Sequence, residues 1–132
     1  MALARDRLLH RNINQNLTDW ATSPQRKVLL LRGARQVGKT YSVRTLGARF
    51  KHFLEINFDA EKSVREFFTG DIAPDSICEK LEAFYGTPVI PEQTLLFLDE
   101  IQACPDAVRS LRYFHEKIPR LHVVAAGSLL EF

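Results

Sequence analysis

The chain has few of the residues that would tie it to an oxidised or membrane-bound scaffold. Two cysteines, Cys78 and Cys104, stand alone in 132 residues. They cannot form the disulfide framework of a small secreted fold, and a reduced, cytoplasmic setting is expected. The four histidines, at positions 10, 52, 115 and 122, show no ligand spacing with either cysteine, so a metal site of that class is not expected. No apolar run approaches the roughly 18 residues of a membrane helix. The first nine residues carry Arg5, Asp6 and Arg7 and have no long apolar centre, unlike a secretory signal. There are no repeats and no low-complexity segments. What remains is a chain of one-domain length with 45% hydrophobic residues, able to bury roughly two thirds of its unfolded surface.

Net charge is only +2, but it is unevenly placed. Residues 1–51 hold eleven Lys or Arg against two Asp or Glu, and residues 52–132 hold seven against fourteen. A basic half suits either nucleic acid or a polyanionic nucleotide. No aromatic interleaving or base-reading motif accompanies it, which weighs against the first.

Residues 33–40 read Gly-Ala-Arg-Gln-Val-Gly-Lys-Thr, a full match to G-x-x-x-x-G-K-[ST]. The aliphatic run Val28 to Leu31 leads into it, and a helix-compatible stretch, Tyr41 to Phe50, follows. That context separates a phosphate-binding loop from a chance string. Gly33 and Gly38 let the backbone turn tightly and aim N–H groups inward. Ala34, Arg35, Gln36 and Val37 supply the rest of the cradle, and the helix N-terminus completes it. Lys39 is expected to reach the β- and γ-phosphates, Thr40 to place its hydroxyl on Mg²⁺, and Tyr41 to flank the nucleotide. Arg35 and Gln36 are also placed to touch a neighbouring molecule.

Leu9, Ile13, Leu17 and Trp20 recur at helical spacing and predict an amphipathic helix over residues 6–21. It would pack on the core or wall the adenine pocket, and Ser23-Pro24 ends it. Residues 1–26 thus read as an N-terminal helix and linker, attached to a single domain. Strands are expected at Lys27 to Leu31, Phe53 to Phe58, Thr94 to Leu98 and Leu121 to Ala126. Between them, Asp59 is expected to cap a short helix carrying Val64, Phe67 and Phe68. Ser76-x-x-Glu79 is expected to open another as a capping box. Residues 86–93, with Pro88 and Pro91, read as a loop, and Pro105 starts a helix with Val108, Leu111, Phe114 and Ile118 inward. Alternating strands and helices imply an α/β fold, a mostly parallel sheet covered on both faces.

The third strand ends in Asp99-Glu100. Ligands of open α/β sheets bind along the C-terminal strand edge, so Asp99 is a candidate Mg²⁺ ligand. Glu100 is then the candidate catalytic base, orienting or deprotonating the water that attacks the γ-phosphate. GTPases need Asn-Lys-x-Asp, which is absent, and small-molecule kinases use a substrate hydroxyl instead of water.

The pair Asp99-Glu100 looks like that of three-layer P-loop NTPases of the AAA+ and RecA-like classes. Arg35 to Thr40, Leu98-Asp99-Glu100-Ile101-Gln102 and Ala126-Gly127-Ser128-Leu129-Leu130-Glu131 together resemble the predicted prokaryotic AAA+ ATPases that carry an uncharacterised C-terminal domain. The resemblance implies ATP and Mg²⁺. It makes Ser128 the residue that senses the γ-phosphate, with a Gly-Ser turn as the plain alternative. It also implies a fifth core strand, an arginine finger, a lid and a second domain after Phe132, so the chain reads as a partial ATPase domain with strand one as an exposed edge. Arg109 and Arg112 are poor finger candidates and are expected to be solvated or ion-paired. Alternatives to an ATPase are a nucleotide-gated interaction module with little turnover, an ATP-dependent nucleic-acid-binding protein and, more distantly, a small-molecule kinase. Self-association or a C-terminal domain are the expected protein partners, and no membrane is expected.

Overall fold

Strand segments that are apolar at consecutive positions suit a sheet covered on both faces. The computed structural model of the chain, which describes residues 13–32, 37–70 and 73–127, has this arrangement. Its strands are β1 (Leu29–Arg32), β2 (His52–Asn57), β3 (Thr94–Asp99) and β4 (His122–Gly127). They form one parallel sheet in the order β1-β4-β3-β2. The inner strands β3 and β4 are buried almost throughout, whereas edge strand β1 is only partly buried.

Successive side chains of a strand point to opposite faces, and the core divides accordingly. Leu96 and Leu98 of β3, with Val123 and Ala125 of β4, join one cluster with Phe58, Phe68, Ile77, Leu81, Leu111 and Phe114. Leu95 and Phe97, with Val124, join a second cluster with Leu17, Val43 and Leu46. The first face is covered by α3 (Pro74–Tyr85), α4 (Pro105–Lys117) and a 3-10 helix over Lys62–Phe68. The second is covered by α1 (residues 13–22) and α2 (Val37–Gly47). Within α1, Leu17 is buried and Ile13, Trp20 and Ala21 pack on the same cluster, so this amphipathic helix is a core-packing one.

Two expected caps are not there. Asp59 does not cap the short helix. Asn57 intervenes, its Oδ1 accepting from the N–H of Asp59 at 2.9 Å and of Ala60 at 3.1 Å. This Asx-type turn leaves Glu61 at the helix start, without a side-chain cap. Nor do Ser76 and Glu79 form a capping box. Pro74, whose ring presets φ and whose missing N–H costs nothing in a first turn, starts α3 two residues earlier, after Ala73. Gly86 closes α3 in the left-handed region at φ 69, where a side chain is disfavoured. The 86–93 loop is then anchored by buried Thr94, whose hydroxyl donates to the Pro88 carbonyl at 2.8 Å and accepts from the Ile90 N–H at 3.0 Å.

Candidate functional site

Parallel pairing brings the C-terminal ends of all four strands to one edge. Arg32 lies opposite Gly127, and Asn57 opposite Asp99. The chain leaves β1 at this edge and enters α2 there. Of the eight-residue motif, Gly33, Ala34, Arg35 and Gln36 lie outside the described residues, as does Ser128. The remaining four, Val37, Gly38, Lys39 and Thr40, form the first turn of α2.

That turn differs in charge from the starts of α3 and α4. α3 and α4 each have an acidic residue in the first turn, Asp75 and Asp106, while α2 has none. A helix N-terminus carries partial positive charge from its unpaired N–H groups, which first-turn carboxylates normally offset. In α2 it is reinforced by Lys39. The Lys39 Nζ donates to the carbonyl oxygen of Arg32, the last residue of β1. This contact holds an ammonium at the strand edge, beside the first turn of the helix. Thr40 is partly buried in the same turn, and Tyr41 follows with its ring largely in solvent, 69% exposed.

The acidic half lies two strands away, at the end of β3. Asp99 is the last residue of the strand and is partly buried. Its Oδ1 accepts the backbone N–H of Glu100 at 2.9 Å, and its carbonyl accepts the N–H of Phe58 at 3.0 Å. Glu100 is 8% exposed and takes φ 51, ψ 43, a left-handed conformation that non-glycine residues seldom adopt. Backbone strain of this kind clusters at functional sites. The carboxylate of Glu100 accepts from Gln102 Nε2 at 2.7 Å.

A cation that the sequence reading did not place is also here. Arg44, one turn beyond Thr40, makes a two-pronged pair with Glu55 of β2, both contacts at 2.8 Å. The bond to Glu55 raises the proton affinity of this guanidinium, and the Asp99 charge adds to the effect. Arg44 therefore ties α2 to β2 beside the acidic strand end. Arg109 and Arg112 pair with Asp106 and Glu116 on their own helix, at 2.7 and 3.0 Å, as expected of residues outside the site.

This edge thus offers an ammonium and a helix start without a first-turn carboxylate on one strand connection, and two carboxylates on another. That is a donor set for a polyphosphate with a hard divalent cation, which prefers oxygen ligands. A protein-family model described as an AAA domain matches residues 25–132. No curated protein and no solved structure matches the chain. Among the described residues no helix is long and apolar enough to cross a membrane.

Proposed function

The chain belongs to the AAA domain family, and from that membership we propose that its strand edge binds Mg·ATP and hydrolyses it. One observation carries the reading: the only helix among α2, α3 and α4 without a first-turn carboxylate is the one that carries Lys39 and Thr40. A phosphate there meets N–H donors and an ammonium, with no carboxylate in the same helical turn. In this reading Lys39 exchanges its carbonyl partner on Arg32 for phosphate oxygens. The Thr40 hydroxyl and Asp99 would hold Mg²⁺, which when bound would offset phosphate charge. Glu100 takes the proton of, or orients, the attacking water. Tyr41 flanks the site. Gly33 to Gln36 complete the phosphate cradle, and Ser128 follows the last residue of β4 as the γ-phosphate sensor.

The test is turnover and nucleotide binding measured together. Glu100→Gln keeps the size of the side chain and one acceptor oxygen but removes the base. Its turnover should fall about 10²- to 10⁴-fold, the usual contribution of a positioned base, while calorimetry shows Mg·ATP affinity retained. Lys39→Ala should lose the binding itself. Equal hydrolysis by wild type and Glu100→Gln would remove Glu100 from the mechanism. Binding without turnover in the wild type would leave a nucleotide-gated interaction module.

A further inference from the structure

Gln102 has no part in the reading above, yet its side chain grips the residue to which that reading gives the chemistry. Glu100 heads a short 3-10 helix over Ile101–Ala103. Ile101 is fully buried and anchors it in the core. The left-handed backbone of Glu100 folds the chain so sharply that residues two apart face each other, and Gln102 Nε2 donates to Glu100 Oε2 at 2.7 Å. The main chain of Glu100 is held as well, through its N–H to Asp99 Oδ1.

The other end of the Gln102 amide is the telling one. Its Oε1 is buried and has no hydrogen-bond partner among the described residues. The amide cannot be turned over to relieve this, because Oε1 would then face a carboxylate and two acceptors would meet. A buried carbonyl left unpaired is destabilising, and an apolar side chain of the same shape would avoid the cost. Packing alone therefore argues against glutamine at this position. Among the described residues, its N–H on Glu100 is the one interaction that glutamine supplies and a thioether or alkyl chain would not.

We propose that Gln102 is a positioning residue, which holds the Glu100 carboxylate by Oε2 in the orientation from which Glu100 acts on water during ATP hydrolysis. The proposal rests on the role given to Glu100 above.

Gln102→Met tests it, because methionine matches glutamine in length and removes both the grip and the orphaned carbonyl. Turnover should fall about ten- to hundredfold, the scale of loss when a catalytic group is misplaced. KM for ATP should stay within about twofold, since ground-state binding is untouched. The melting temperature should equal or exceed that of the wild type. Gln102→Asn, too short to reach, should lose turnover in the same way. In the nucleotide-free protein, the side-chain amide protons of Gln102 should exchange slowly by NMR, and faster in Glu100→Ala. Unchanged turnover in Gln102→Met, in a protein that Glu100→Gln inactivates, overturns the proposal and leaves the reading of Glu100 intact. Undiminished turnover in Glu100→Gln overturns both. Fast amide exchange in the wild type overturns the grip itself.

Discussion

At the start of β4 the ring of His122 is almost fully buried, with Trp20 and Phe50 edge-on to it at 5.4 and 4.8 Å. Its Nε2 donates to the Ala21 carbonyl at 2.8 Å, so the neutral ring leaves Nδ1 as a bare acceptor, and that atom has no partner among the described residues. Burial is the main reason its proton affinity falls below the ordinary value of 6.5, and the Arg26 charge adds to this. The Ala21 carbonyl and Glu92 oppose it. The unfolded chain binds a proton near pH 6.5 while the folded chain does not. The contribution of His122 to stability is therefore complete above that pH. It is lost as pH falls through the lowered folded value, with a slope of up to about 1.4 kcal/mol per pH unit. Urea denaturation of wild type and His122→Gln between pH 7.5 and 5 measures it. The wild type should lose more stability over that span, and parallel losses would show that the ring titrates freely when folded.

Between elements, α2 approaches β2 closely at Gly47. Gly47 ends α2, and a Cβ there would lie 2.3 Å from Cδ1 and 2.6 Å from Cγ of Phe53. Gly47→Ala gains helix propensity of about 1 kcal/mol at most, but it must push the ring or the helix aside. Overpacking of this kind costs about 1–3 kcal/mol. A net loss of stability is expected in chemical denaturation, and a gain would mean that Phe53 moves freely. Nothing in the sequence around Gly47 announces this contact, because it depends on how closely a helix settles on a strand. The strands themselves were legible to within one or two residues as continuous apolar runs, and so were the Pro105 helix start and the 86–93 loop. Caps were not. Asp59 and Ser76 have the right chemistry, but Asn57 and Pro74 reach the backbone first. Of the candidate site, the order of Lys39, Thr40, Asp99 and Glu100 could be read from spacing. The grip of Gln102 could not, because it needs a positive φ at a glutamate.

For the molecule as a whole, the site joins a helix on one face to the buried centre of the sheet, so a ligand bound there should stabilise the fold. By mass action, Mg·ATP at about a hundredfold above its Kd adds about 2.7 kcal/mol. Thermal melts with and without Mg·ATP should show the rise in wild type and in Gln102→Met, and its loss in Lys39→Ala. A full shift in Lys39→Ala would place the ammonium away from the phosphates.

The sheet order also sets the sequence in which this site comes together. Among the described residues β1 borders only β4 in the sheet, with Leu29 opposite Val124. β1 therefore pairs with a strand some ninety-five positions later in the chain. Parallel pairing across such a span closes late and slowly. β2, β3 and β4 can pair with one another before it docks, and a four-residue edge strand is among the first segments to open in a native-state fluctuation. On the ribosome, β1 gains this sheet partner only after β4 has emerged. If the strand edge binds Mg·ATP as proposed, the nucleotide rewards a nearly finished sheet and does not help to start one.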